Sequence, residues 1–232
     1  MLSHHIAAPL DTGTLYFRKG LTMSRADLLS IKLDGDGGHG ARTSKEGNVV
    51  LAAASLIGKL KNIVNGLAYE GTDCACSVGL LHAGHACNVV PRFAKLEGSL
   101  RTFTADQRKE AIKRLDDLRL DIASEFKVTI SVENPLSIPP VVNHPMVVDD
   151  AFRCTEEMGH LTQWARPIAP SDDISEFLEH IPGCHVFIGA APQSGVVEHH
   201  KSEFDIDERS LMIAVEVLAH SAMRCSRPIK TP

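Results

Sequence analysis

Apolar positions in the middle of the chain alternate between two periods. Leu29, Ile31 and Leu33 alternate with polar neighbours, the pattern of a half-buried strand, and the run ends in the glycine-rich turn Asp34 to Gly40. Residues 48–65 change to a helical stripe of Val49, Ala53, Leu56, Ile57, Leu60, Ile63 and Val64, stopped by Asn65-Gly66. A strand is expected near 75–83, followed by a loop from Gly84 to Pro91. Ala94, Leu96, Gly98 and Leu100 then alternate with Lys95, Glu97, Ser99 and Arg101 in a second half-buried strand. Thr104-Ala105-Asp106-Gln107 has the form of a capping box and opens a long helix. Its core stripe is Ala111, Leu115, Leu118 and Ile122, with Ile112 beside it, and Val128, Ile130 and Val132 make a closing strand. The order β-α-β-β-α-β predicts an antiparallel sheet with two helices on one face, over about residues 24–134.

The flanks read differently. Residues 13–20 predict a short strand closed by Gly20. Pro135 and Pro139-Pro140 mark a linker, after which an α/β pattern resumes. A helix is expected over 145–158, a short helix after Ser171-Asp172-Asp173, and a strand from His185 to Gly189. The final helix is expected to start at Asp205-Ile206-Asp207-Glu208, with Leu211, Val215, Leu218 and Ala222 on its core side. Ser226 to Pro232 are expected to fray. Residues 1–23 and 135–232 therefore predict one α/β domain, interrupted by an inserted α+β domain over 24–134.

Composition narrows the function classes. Hydrophobic residues make up 44% and charged residues 23%, an ordinary globular balance. A net charge of −5 offers no cationic face for nucleic acid or anionic lipid. No apolar run is long enough to span a bilayer, and Met1 to His5 lack the form of a signal peptide, so a cytoplasmic location is expected. The six cysteines form neither a CxxC pair nor a zinc-ribbon spacing and read as small buried thiols, with Cys74 and Cys76 sharing one strand face. Twelve histidines is a high count, which only their placement can interpret.

Several residues could carry chemistry. His5, in His5-Ile6-Ala7-Ala8-Pro9-Leu10-Asp11-Thr12-Gly13, is a candidate metal ligand on a loop beside a strand end; read alone, it is a solvated histidine near a terminus. His200, in His199-His200-Lys201-Ser202-Glu203-Phe204-Asp205, has the same two readings. His39, in Gly37-Gly38-His39-Gly40-Ala41, is either an exposed hairpin-tip histidine or a donor to a developing oxyanion. Arg101 is either a salt-bridged strand end or, with Asn88, a grip on a substrate carboxylate. Ser171-Asp172-Asp173-Ile174 reads as a helix cap.

In order and spacing these stretches, with Asn88-Val89-Val90-Pro91 and Gly98-Ser99-Leu100-Arg101-Thr102, resemble the dinuclear metal-dependent aminoacylase and carboxypeptidase family. Its nearest branch holds N-acyl-amino-acid amidohydrolases, hippurate hydrolases and auxin-conjugate hydrolases. The resemblance runs along essentially the whole chain but begins in the middle of the family's catalytic domain. It implies two divalent ions in an intact site, usually zinc, with manganese or cobalt also admitted by the chemistry. His5 and His200 would be metal ligands, with His4 and His199 the weaker neighbours. His39 would come from the lid of a second subunit to polarise the scissile carbonyl, and Asn88 and Arg101 would bind the substrate carboxylate. Residues 24–134 would act as lid and homodimerisation domain. The substrate would be an N-acyl amino acid or small peptide.

Departures from the family pattern are Arg42-Thr43-Ser44 after His39, Asp172 and Ile174 in the Ser171 turn, and Lys201-Ser202 after His200. The family's first ligands and its Glu-Glu general base precede the position of His5, and Glu156-Glu157 lies in the wrong place in chain order. Two histidines cannot hold a dinuclear centre, so this chain alone is expected not to hydrolyse amides. The other expectation is a catalytically dead homologue acting as a dimerising binding protein. On either reading residues 24–134 should fold alone, whereas the flanking domain should expose apolar edges.

Overall fold

A computed structural model of the chain describes residues 1–42, 44–195 and 198–225. Its elements begin with β1 (Leu2–Ala7), β2 (Thr14–Phe17), β3 (Gly20–Met23), β4 (Arg25–Asp34), β5 (Gly38–His39), α1 (Val49–Leu60), β6 (Ala68–Tyr69), β7 (Thr72–Asp73), β8 (Ala75–Ala83), β9 (Val89–Val90) and β10 (Phe93–Thr102). They continue with α2 (Ala105–Phe126), β11 (Thr129–Glu133), β12 (Ser137–Ile138), β13 (Val141–Asn143), α3 (Pro145–Glu157), β14 (Leu161–Trp164), α4 (Ile174–Leu178), β15 (Cys184–Gly189) and α5 (Arg209–Cys225). The chain divides into two compact units. Unit 1 comprises Met1–Thr22, Val141–Pro167 and the segment from Asp172 onward; unit 2 comprises Met23–Pro140 and Ile168–Ser171.

Unit 2 is built on an antiparallel sheet in the order β11-β4-β10-β8, with β12 also pairing β4. Register pairs Ile31 with Leu96 and Leu33 with Ala94, so alternation stacks these apolar residues on one face. Ala52 and Leu56 of α1 and Leu115 and Ile122 of α2 are buried against the same core. Asn48 Oδ1 caps α1 by accepting from Val50 and Leu51 N–H, and Thr104 and Gln107 close the capping box that the sequence predicts for α2. The register shifts between Glu97 and Gly98, where a Cβ would collide with the Ser77 carbonyl, so glycine is required. Beneath the sheet, buried Asp27 accepts from Arg108 Nε at 2.8 Å and Nη2 at 3.0 Å, and from Asn134 Nδ2 at 2.8 Å. Burial by itself would raise the Asp27 pKa, but hydrogen bonds from Arg108, Ser137 and Asn134 and the Arg108 charge outweigh it and hold the carboxyl below its ordinary range.

Unit 1 has a mixed sheet in the order β1-β15-β2-β14, parallel at β1–β15 and β2–β14 and antiparallel at β15–β2. Cys184, Val186 and Ile188 of β15 join Leu15 and Phe17 of β2, Val148 and Ala151 of α3, and Val217 of α5 in one core. Asn143 is buried and clamps the backbone there. Its Nδ2 donates to the carbonyls of Arg18 and His185, and its Oδ1 accepts from His185 N–H at 2.8 Å.

Three expectations are corrected. His5 lies inside strand β1 rather than on a loop, because its backbone pairs in parallel with β15. Helix α5 starts at Arg209 rather than Asp205, with Asp207 acting as its cap through Arg209 N–H. The packed side of α5 is Ser210, Val217 and Ser221, whereas Leu211, Val215, Leu218 and Ala222 face outward. Small Ser210 and Ser221 let the helix approach its neighbours closely, and a helix apolar on both sides gives periodicity nothing to choose between. Among the described cysteines, Cys74, Cys154 and Cys184 are buried, Cys76 is half-buried and Cys87 is exposed; none forms a disulfide. The fraying expected for Ser226 to Pro232 and the Thr43 departure lie outside the described residues.

Candidate metal centre

Strand alternation builds the centre. In the parallel pair β1–β15, Ser3 is opposite His185 and His5 is opposite Phe187, so all four side chains share one sheet face. Buried Phe187 forms an apolar floor, its ring edge-on to His5 at 6.4 Å and to His185 at 5.7 Å between centroids. The opposite face of β15 is the apolar core already described, which leaves the histidine face free for chemistry.

Asp172 supplies the carboxylate from the loop before α4. Its Oδ1 accepts from Ile174 N–H at 3.0 Å, which fixes the side chain and leaves Oδ2 for other partners. Oδ2 stands 3.4 Å from His5 Nδ1 and 3.7 Å from His185 Nε2. The ligand atoms of these three residues all lie within 4.8 Å of one another, and no other group of three such residues occurs among the described residues. Ser3 Oγ is 2.5 Å from His185 Nδ1 and orients the ring. His185 is only 2% exposed, and its Nε2 has no hydrogen-bond partner. Burial pushes the His185 pKa down to about 4; Asp172 opposes the shift and His5 adds to it. The ring is thus held neutral at pH 7, the form that ligates a metal. An orphaned, buried, neutral imidazole nitrogen aimed at a carboxylate fits a divalent cation.

The other candidates fall in different places. His199 is half-buried with its ring 5.8 Å from that of His5; burial, then His5, lowers its pKa. His200 is exposed, adopts a left-handed backbone (φ 67°) and is not in the three-residue cluster. His4 points to the opposite face of β1, where burial pushes its pKa to about 4 and neither ring nitrogen has a hydrogen-bond partner. In unit 2, His39 is exposed on β5, which pairs with β9, and its Nδ1 accepts from Ala41 N–H at 3.1 Å. Gly40 N–H donates to the Asn88 carbonyl at 2.8 Å, so His39 and Asn88 are brought to one small ladder. Arg101 is half-buried on β10; its Nη1 donates to Ser171 Oγ at 2.9 Å, and burial lowers its pKa. No carboxylate among the described residues pairs with it, which sets aside the salt-bridged reading.

Sequence reasoning singled out His5, gave the Asp172 turn a structural role near the site but no part in the chemistry, and gave His185 no role. Alternation within His185-Val186-Phe187-Ile188-Gly189 does put His185 and Phe187 on one face, but the pairing with β1 is not written in either stretch.

The description "peptidase dimerisation domain" (M20_dimer) belongs to the family model that matches residues 26–127. Along nearly the whole chain, similarity extends to an N-acetyldiaminopimelate deacetylase of Enterococcus faecalis, 28% identical over 93% of this chain and 57% of the relative. An N-acetylcysteine deacetylase of Bacillus subtilis is 26% identical over 97% of this chain and 59% of its own length. The fold matches that of a dinuclear metal-binding M20 peptidase from Bacillus subtilis, with a TM-score of 0.71 and 24% identity over 97% of this chain and 56% of that one. The chain thus spans somewhat over half the length of the proteins it matches.

Proposed function

We propose, from the premise that this chain is a member of the M20 peptidase family through its dimerisation domain, that it is part of a metal-dependent amidohydrolase cleaving N-acyl amino acids or small peptides. The observation that carries the reading is the cluster of His5, Asp172 and His185, two imidazoles and a carboxylate converging from separate elements. A divalent ion held there, zinc in the first instance, supplies Lewis acidity to an amide carbonyl. His5 and Asp172 present the exposed side of the centre, His185 the buried side, and Phe187 keeps water from beneath. His200, next in sequence to His199, is the further ligand the family pattern suggests for a second ion.

The remaining roles rest on the same resemblance. Arg101, half-buried and with no carboxylate partner among the described residues, suits a substrate carboxylate, and Asn88 adds an amide donor. His39 stabilises the oxyanion in the closed assembly. Homodimerisation runs through residues 24–134, where β8 ends the sheet with Leu80 and Leu81 half exposed along an open edge. No helix among the described residues is long and apolar enough to cross a membrane, and free thiols suit a cytoplasmic setting.

One observation favours a second reading. Asp172 is the only carboxylate in the cluster, and as a ligand it leaves no general base among these three residues. A dimerising, non-hydrolytic relative would have this composition. The native protein, assayed with zinc against N-acetyl and N-benzoyl amino acids, decides between them. Hydrolysis that His5→Gln abolishes supports the amidohydrolase. A stable dimer that turns over none of these amides sinks it in favour of the binding protein.

A further inference from the structure

We infer that unit 2 carries a ligand site of its own, a cationic cavity at the start of α2 that takes a small phosphate monoester with an apolar body. The site is independent of the metal centre, because every residue lining it lies between Met23 and Pro140, within unit 2. Its volume of about 570 Å³ suits a small organic molecule rather than a bare ion.

Strand register builds the cavity. Arg25 opens β4 and Thr102 closes β10, directly opposite each other in the antiparallel pair. Counting in twos from Leu29, Ile31 and Leu33 puts Arg25 on the face that the helices cover, and Thr102 joins it there with Leu96 and Leu100. Phe103 and Thr104 then carry the chain into α2, whose opening turns bring Arg108 and Lys109 to the same cavity. Phe103, Ile112 and Pro140 supply its apolar wall.

Charge selects the ligand. Arg25, Arg108 and Lys109 line the cavity and no carboxylate does; Asp106, the acidic residue of the first turn, is not among its walls. Arg108 is already engaged, through Nε and Nη2, with Asp27, whose oxygens are filled by Arg108 and Asn134. Arg25 reaches a neutral partner, its Nη1 donating to Ser137 Oγ at 2.7 Å, and exposed Lys109 has no partner among the described residues. Setting Asp27 against Arg108 leaves two cations in excess. A phosphate monoester at pH 7 carries about −1.5 to −2 charge and balances them; a carboxylate carries one negative charge and does not.

Uncharged donors point the same way. Thr104 Oγ1 accepts from Gln107 N–H, which leaves the Ala105 N–H, first in the helix and on the cavity wall, without an acceptor among the described residues. That amide and the helix dipole both favour an anion at this end. Thr102 Oγ1 is buried with no hydrogen-bond partner. Lying opposite Arg25 and just before Phe103, it offers a further donor on the cavity's buried side.

Calorimetric titration of the full chain with phenyl phosphate tests the site, with benzoate and inorganic phosphate as comparisons. One phenyl phosphate should bind per chain, about 10-fold or more tighter than benzoate for its second charge and than inorganic phosphate for its buried ring. Arg25→Gln and Lys109→Gln should each weaken it by about 10-fold or more, the loss of one charge-assisted hydrogen bond. Lys109 is exposed, so its variant keeps the fold whatever Arg25→Gln does. Lys127→Gln, beyond the far end of the 22-residue helix, and His5→Gln, in the metal centre, should leave the titration unchanged. In nitrogen–proton spectra the Ala105 and Asp106 amides should shift most. Absence of saturable binding at millimolar phenyl phosphate, equal affinity for either comparison anion, wild-type affinity in Lys109→Gln, weakened binding in His5→Gln, or shifts centred away from the start of α2 would each overturn the proposal.

Discussion

The two units treat their buried polar groups in opposite ways. In unit 2 the buried carboxylate of Asp27 is met by donors from Arg108 and Asn134, and among the described residues of that unit the only orphaned buried side-chain atom is Thr102 Oγ1. In unit 1 orphaned ring nitrogens occur on His4, His144, His160 and His185, and hydroxyls on Ser175 and Ser221. A satisfied interior is what an independently stable scaffold needs, because each unmet buried group costs about 1–3 kcal/mol. The unmet groups of unit 1 are concentrated on imidazoles, which gain most from a cation or an added partner. Unit 2 is a finished core, and unit 1 carries a debt that binding can settle.

Five substitutions and the addition of zinc would break or sharpen that contrast. Asp27→Ala should have the largest effect, about 3–5 kcal/mol, because it leaves Arg108 without its buried partner. Amide exchange in α2 would report the loss, while Trp164, the single tryptophan and a unit 1 residue stacked on Phe152, should keep its urea midpoint. A common shift of both probes would mean that the units unfold together. The same carboxylate sets an acid response. Its folded pKa is depressed, so its contribution is full above the unfolded value of about 3.9 and disappears as pH falls through the lower folded value. Asp27→Asn should remove that part of the acid dependence of α2 exchange.

Zinc should come next. At 100 times its dissociation constant, a single-site ligand stabilises the native form by ~2.7 kcal/mol, visible as a later Trp164 transition with α2 exchange unchanged. An equal gain in α2 would contradict a site confined to unit 1. Gly98→Ala and Gly189→Ala should each cost about 1–3 kcal/mol by overpacking, the first in unit 2 against the Ser77 carbonyl, the second in unit 1 against the Asp11 carbonyl. Each should move only its own unit's probe. Leu211→Gln, on the outward stripe of α5, should change Trp164 unfolding by less than ~0.5 kcal/mol. A loss above 1 kcal/mol would show that something covers that stripe in solution.

Unit 2 was the more legible half of the sequence for a physical reason. Its strands alternate, its helices carry caps, and its sheet partners are near in sequence, so Leu29, Ile31, Leu96 and the Thr104 capping box announce their roles locally. Unit 1 hides its logic in long-range pairing. His185 becomes a neighbour of His5 only because β1 pairs with β15, and Asp172 faces both only after its cap is formed. Helix α5 misled because Leu211 and Val215 are as apolar as Val217, and only tertiary packing selects the side that is covered. Arg101 and Asn88 were singled out through family resemblance rather than through any local pattern.

Pairing of β12 with the start of β4, Ile138 beside Ala26 and Ser137 beside Asp27, has a kinetic consequence. Strands β1 and β15 are separated by most of the chain, with Leu2 opposite Cys184. Closing such a loop directly is slow and entropically unfavourable. Once unit 2 has folded, however, residues 26 and 138 are already adjacent, and the effective loop between β1 and β15 shrinks by the length of the insertion. At ~5–20 residues per second, β1 leaves the ribosome roughly 10–40 s before β15 does. In that interval the insertion can complete its own fold and act as a clasp, so that the last strand arrives to find its partner near at hand.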